Sequence, residues 1–123
     1  MKTIKEQNKL IAEFMGFTNE KNLGWYDNDM LLSQIVYDLN DGNCFDELLF
    51  DKSWDWLMPV VEKINSIVID EVGTRVTMRS NATLIERVGE ERWEAGPIIT
   101  GEGMLINTYK AVIEFIKWYN ETK

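Results

Sequence analysis

The chain contains no histidine in its 123 residues. That removes Ser-His-Asp and Cys-His nucleophilic catalysis, and with them every zinc site that needs an imidazole ligand. Cysteine is almost as scarce. Cys44 stands alone, so the chain can form neither an internal disulfide nor a thiolate zinc site of its own. No base or cation lies beside Cys44 to favour the thiolate, and it reads as an inert thiol. No apolar run is long enough to cross a bilayer, and Met1-Lys2-Thr3-Ile4-Lys5-Glu6 leads into no apolar signal core. With no disulfide framework, the expected setting is a reducing cytoplasm.

Positive charge is also in short supply. Thirteen Lys and Arg face 21 Asp and Glu, for a net charge of −8. The imbalance is concentrated. Residues 25–55 hold eight acids (Asp27, Asp29, Asp38, Asp41, Asp46, Glu47, Asp51, Asp55) and one base, Lys52, a net −7. A phosphate-binding surface needs clustered Lys and Arg, so direct nucleic-acid binding is disfavoured there. A basic protein surface is the more natural partner.

What the chain has in quantity is apolar and aromatic area. Its hydrophobic content is 45%, with five Trp, four Tyr and five Phe. That is ample for one compact domain over residues 1–123 without covalent staples.

Periodicity predicts an α+β domain. Thr3 and Glu6 have capping-box spacing, and Leu10, Ile11, Phe14 and Met15 follow on one face. Gly16 suits the left-handed stop of a helix over residues 4–15. Residues 17–29 read as loop. Residues 30–50 fit either a helix or strands, and Asp41-Gly42 tips the reading toward a hairpin turn. Ser53 opens a second helix with Asp55 in its first turn and Pro59 within it. Trp54, Leu57, Met58, Val61 and Ile64 line one face of this helix. Trp56 points about 200° from Trp54, so either one is partly exposed or both are core, with Trp56 packed under a loop.

Residues 66–100 read as β structure. Val76 and Met78 alternate with polar neighbours, a turn falls near Ser80-Asn81, and Thr83-Leu84-Ile85 begins the return. A charged loop with Trp93 occupies residues 89–96, and Pro97-Ile98-Ile99-Thr100 forms a last short strand. Leu105, Tyr109, Val112, Ile113, Ile116 and Tyr119 stripe a final helix, with Lys110/Glu114 and Lys117/Glu121 four apart on its outer side. The expected architecture is three helices packed on a small antiparallel sheet. Its expected core is Leu10, Ile11, Phe14, Trp54, Leu57, Val61, Tyr109, Val112 and Ile116.

No catalytic constellation emerges. Asp38-Leu39-Asn40-Asp41-Gly42 suggests a calcium loop, but Gly42 falls fifth rather than sixth and Leu49 occupies the twelfth place. No spacing singles out an acid/base or magnesium pair among the carboxylates. Gly101-Glu102-Gly103 precedes a helix as a phosphate loop would, but Ile106 takes the third glycine position and no βαβ unit comes before it. No metal or cofactor is expected.

Three stretches carry a resemblance. These are Asn8-Lys9-Leu10-Ile11-Ala12-Glu13-Phe14-Met15-Gly16, Ser53-Trp54-Asp55-Trp56-Leu57-Met58-Pro59-Val60-Val61-Glu62-Lys63-Ile64 and Tyr109-Lys110-Ala111-Val112-Ile113-Glu114-Phe115-Ile116-Lys117-Trp118-Tyr119-Asn120. They resemble small uncharacterised proteins encoded by phages and prophages of the Bacteroidetes. The resemblance covers the three expected helices, about a third of the chain, and carries no activity or catalytic residues. It implies a scaffold and a mobile-element setting in the cytoplasm of a host cell. In that setting the expected role is a non-enzymatic binding protein that modulates a host or defence factor, such as an anti-CRISPR-type inhibitor on a basic nucleic-acid-binding surface. The expected partner-binding residues are Trp25, Tyr26, Asp27, Asp29, Asp38, Asp41 and Trp93. The rival readings are a small-ligand or nucleotide-binding module using Gly101-Glu102-Gly103, and a metal-dependent enzyme using the carboxylates. The oligomeric state has no signature in the sequence.

Overall fold

A computed structural model describes residues 3–20, 24–69, 72–88 and 94–122. The elements run α1 (Ile4–Phe14), β1 (Thr18–Glu20), β2 (Gly24–Tyr26), α2 (Gln34–Asn40), β3 (Cys44–Phe45), α3 (Trp54–Asn65), β4 (Val68–Ile69), β5 (Val72–Met78), β6 (Thr83–Val88), β7 (Glu94–Ile98) and α4 (Met104–Thr122). The protein is therefore α+β. The described residues hold four helices and two antiparallel sheets, one of three strands and one of four, rather than three helices on one sheet. The chain divides into two compact units, Met1–Pro59 and Val60–Lys123.

The first unit starts as its sequence signals dictate. The Thr3 side chain accepts from the Glu6 amide at 3.2 Å, which satisfies one of the donors left over at a helix start. Gly16 takes φ +83° and ends α1. The Phe17 amide reaches the Ala12 carbonyl at 2.9 Å and the Gly16 amide reaches Glu13 at 3.1 Å, the paired bonds of a Schellman stop. Phe17 is buried by this closure, as are Ile11, Ala12 and Met15. Leu10 and Phe14, expected in the core, are only half-buried, because the buried face of α1 is centred on Ile11 and Ala12.

Two expectations for the first unit are overturned. Residues 17–29, read as loop, supply β1 and β2. These pair antiparallel with Asn19 opposite Trp25, and β3 adds with Trp25 opposite Phe45 and Tyr26 opposite Cys44. At Gly24, φ is +105° and an added Cβ would stand 2.6 Å from the Phe45 carbonyl oxygen. A side chain there would both strain the backbone and obstruct the β2–β3 pair. The hairpin read into residues 30–50 is a helix instead. Asp41 has φ 63° and the Gly42 amide returns to the Tyr37 carbonyl at 3.2 Å. A left-handed residue followed by glycine closes a helix as readily as a hairpin, and burial of Val36 and Tyr37 decides for the helix.

The core of this unit is aromatic. Trp56 meets Phe45 edge-on at 4.7 Å and Phe50 at 5.2 Å between ring centroids. Phe17 joins Phe50 at 6.0 Å and Tyr37 joins Phe45 at 6.1 Å. Trp56, at 4% exposure, is the buried tryptophan of its pair. Trp54, the expected core residue, is half-buried. α3 runs across the boundary between the units, and its buried residues are Trp56 and Leu57 in the first and Val60, Val61 and Ile64 in the second.

In the second unit the strands pair in the order β4-β5-β6-β7. The β5–β6 register sets Val76 opposite Ile85 and Met78 opposite Thr83, and the Arg79 amide closes the turn on the Ala82 carbonyl at 2.8 Å. This is the hairpin that alternation and the Ser80-Asn81 turn predict. β7 starts at Glu94, inside the stretch expected to be a charged loop, and runs to Ile98. Trp93 lies outside the described residues.

α4 packs on β6 and β7. It buries Tyr109, Val112, Ile113 and Ile116 as its stripe predicts, and Ala111 and Phe115 as well. Leu105 and Tyr119 are half-buried. Thr83 and Thr108 share a buried hydroxyl hydrogen bond at 2.9 Å. The ion pairs on the outer side differ from expectation. Lys110 lies 4.0 Å from Glu102 and Lys117 lies 3.7 Å from Glu114. All four side chains are exposed, so these pairs contribute little to stability.

Candidate functional site

The acidic segment lies within the first unit, and Asp27 organises its middle. This carboxylate is fully buried. One oxygen accepts from the Leu31 amide at 3.0 Å, and the other accepts from the Leu32 amide at 3.0 Å and from the Tyr37 hydroxyl. The Asp27 backbone is held as well. Its amide donates to the Asn43 carbonyl at 3.0 Å, and its carbonyl accepts from the Asn43 side chain at 3.1 Å and the Met30 amide at 3.2 Å. A buried carboxylate is tolerable only when its oxygens are satisfied in this way. Asp27, expected to face a partner, therefore fixes the turn into α2 from inside.

Tyr37 shares that arrangement. Its hydroxyl donates to Asp27 and accepts from the Leu32 amide at 2.8 Å. Burial, reinforced by the Asp27 carboxylate, raises its pKa above the ordinary 10.0 of a tyrosine. The fold thus favours the neutral phenol. Its contribution to stability is complete below about pH 10, where the unfolded chain also keeps its proton. As pH rises further, the unfolded tyrosine ionises first and that contribution is lost. Tyr37→Phe should accordingly show a smaller fall in melting temperature than the wild type between about pH 9 and about pH 11. Equal falls would mean that Tyr37 has no part in the alkaline loss.

The other carboxylates face water. Asp29, Asp38, Asp41, Asp46, Glu47 and Asp55 are all exposed, while Asp51 is half-buried and accepts from the Asn8 side chain at 3.0 Å. Asp38 accepts from the Gln34 side chain at 3.0 Å, one helical turn away. Asp41 is the left-handed residue at the end of α2. Trp25 and Tyr26 are half-buried on β2. Of the expected partner-binding residues, Asp29, Asp38 and Asp41 are exposed, Trp25 and Tyr26 are half-buried on opposite faces of the central strand β2, and Asp27 is internal.

A groove of about 1040 Å³ lies in the same unit, lined by Trp25 and Leu48 and by charges of both signs, Lys5, Lys9, Asp46 and Glu47. The mixed signs oppose one another and give this groove no clear charge preference. Among the described residues no group of three His, Cys, Asp or Glu is placed to hold a metal ion.

No family model, curated protein or solved structure matches this chain. Its function must be argued from its own surfaces.

Sequence reasoning missed the apolar part of the acidic surface. Met30, Leu31, Ile35 and Leu39 are exposed, while Leu32, Val36 and Tyr37 between them are buried. The sequence carried a signal for this. Residues 31–39 hold more apolar positions than one face of a two-turn helix can bury, so some had to remain outside.

Before α4, at the candidate phosphate loop, Thr100 is tied to Glu102 and Asn107. The Glu102 amide donates to the Thr100 hydroxyl at 3.0 Å, and the Asn107 side chain accepts from the Thr100 amide at 2.9 Å. The Glu102 carboxylate also stands near Lys110, which places a negative charge where an anion would need a positive one.

Among the described residues, no helix is long and apolar enough to cross a membrane.

Proposed function

We propose that this chain is a non-enzymatic binding protein whose acidic segment engages a basic surface of a host or defence protein, in the manner of an anti-CRISPR-type inhibitor. The observation that carries this reading is the exposure of six carboxylates within residues 25–55, where Lys52 is the only base. Such a surface attracts a positively charged protein, accelerates its approach and repels nucleic acid. The resemblance to phage and prophage proteins of the Bacteroidetes supplies the setting, the cytoplasm of a host cell. Defence nucleases of that setting carry basic channels for nucleic acid, and an acidic protein surface can compete for such a channel.

The test is association with a purified CRISPR effector nuclease, followed at several salt concentrations. Neutralising Asp29, Asp38 and Asp41 to Asn leaves the internal Asp27 in place. The triple variant should associate about tenfold more slowly at low salt, with a flatter salt dependence, because charge steering is screened over a Debye length of about 8 Å at physiological strength. Guide RNA should compete with the wild-type chain. Unchanged association rates at every salt concentration would reduce the acidic segment to a solubilising surface.

A further inference from the structure

We propose that the exposed side of α2 is a docking face for a basic amphipathic helix of another protein. The occupant packs its apolar stripe on Ile35 and Leu39 and places its flanking Lys and Arg beside Asp38 and Asp41. This deepens, and rests on, the proposal that the acidic segment meets a basic protein surface.

The face is defined by four observations. Ile35 and Leu39 are four residues apart, so they stand one above the other on the same side of the helix. They are 49% and 83% exposed, while Val36 and Tyr37 on the other side are buried. Single exposed leucines are ordinary, but clustered ones mark interaction surfaces. Of the seven large hydrophobic residues exposed among the described residues, four (Met30, Leu31, Ile35 and Leu39) fall within ten residues of chain.

The third observation concerns Met30. Its φ of 53° is a conformation that residues other than glycine rarely adopt. The bond from its amide to the Asp27 carbonyl and the bond from the Leu31 amide to the Asp27 carboxylate hold the chain there. In consequence Met30 and Leu31 stay exposed while Leu32 is buried. An unfavourable local conformation is thus maintained where the chain leads into the exposed face.

The fourth observation is the charge around the face. Asp29, Asp38 and Asp41 are exposed alongside these apolar residues, and no Lys or Arg lies anywhere in residues 24–51. A second copy of this chain would bring two such acidic rims together, which like-charge repulsion opposes. An anionic membrane would be repelled for the same reason. A helix with an apolar stripe flanked by Lys and Arg satisfies both parts of the surface, in the helix-against-apolar-face mode of peptide recognition.

The test uses the full chain and a synthetic helical peptide with leucine along one face and lysine and arginine on both flanks. Binding is read by fluorescence anisotropy at low and at high salt. Two double variants are compared, Ile35→Ser with Leu39→Ser, and Asp38→Asn with Asp41→Asn. All four positions are exposed, and circular dichroism melting checks that the fold is kept. The serine variant should bind about tenfold or more weakly at both salt concentrations, because apolar burial is lost. The asparagine variant should weaken chiefly at low salt.

Equal binding by the wild type and the serine variant, with weakening in the asparagine variant, would overturn the docking face and leave the acidic-surface reading standing. Weakening in the serine variant alone would overturn the basic occupant and, with it, that reading. Equal binding of a scrambled peptide of the same composition would reduce the effect to charge and overturn the docking face. Failure of the wild type to bind the peptide, a wild-type dimer that the serine substitutions dissociate, or equal binding to phosphatidylcholine vesicles would each overturn the proposal.

Discussion

Truncating Trp56 to alanine should lower the free energy of unfolding by about 3–5 kcal/mol, the range for removing a fully packed large aromatic residue. The indole is 4% exposed and meets Phe45 and Phe50 edge-on, with centroids 4.7 and 5.2 Å away. Each such pair adds about 0.5–1.5 kcal/mol beyond simple burial. The cavity would open between α3 and the segment that carries β3 and Phe50. Trp54→Ala should be distinctly milder, since Trp54 is only half-buried. Urea unfolding followed by near-ultraviolet circular dichroism compares the two variants directly. If Trp54→Ala proved the more damaging, the packing of α3 described above would be wrong.

Asp27→Ala should be the most damaging change among the acidic residues, at about 2–4 kcal/mol, because each buried polar group left without a partner costs about 1–3 kcal/mol. The substitution strips acceptors from the Leu31 and Leu32 amides and from the Tyr37 hydroxyl. The total is held down because the Leu32 amide retains the Tyr37 oxygen and the exposed Leu31 can turn to water. Neutralising Asp29, Asp38 or Asp41 should change stability by less than about 0.5 kcal/mol, as exposed sites usually do. Asp27→Asn should fall between, since an amide keeps one accepting oxygen but adds donors where none is needed. Thermal melting of the four single Asn variants separates the cases. Equal melting temperatures across all four would show that Asp27 is not the organising residue.

These two residues also mark where sequence reading stopped. The aspartates of residues 25–55 look alike as letters, and their net charge gives the character of the surface without saying which of them reach it. Only folding brings Tyr37 and the amides of Leu31 and Leu32 to Asp27, across intervals of four to ten residues in which the chain reverses direction. Trp54 and Trp56 present the same difficulty on a helix. Both can extend a stripe built on Leu57, Val61 and Ile64, one from each side. The choice depends on where the fold places Phe45 and Phe50, in the segment that leads into α3.

Several features were determined by local signals. The start of α1 at Thr3, its stop at Gly16, the β5–β6 hairpin and the buried stripe of α4 follow from capping chemistry and periodicity that act over a single turn or a single pair of strands. The excess of acid in one segment, and the absence of histidine chemistry, follow from composition alone. The tertiary structure decided what depended on distant partners. Two- and three-residue strands at β1, β2 and β3 are too short for alternation to register, and exist because each completes another's hydrogen bonds. Asp41-Gly42 is compatible with a hairpin and with a helix stop, and burial of Val36 and Tyr37 selects the helix. That selection turns Ile35 and Leu39 outward, so their exposure is a consequence of packing on the opposite side of α2.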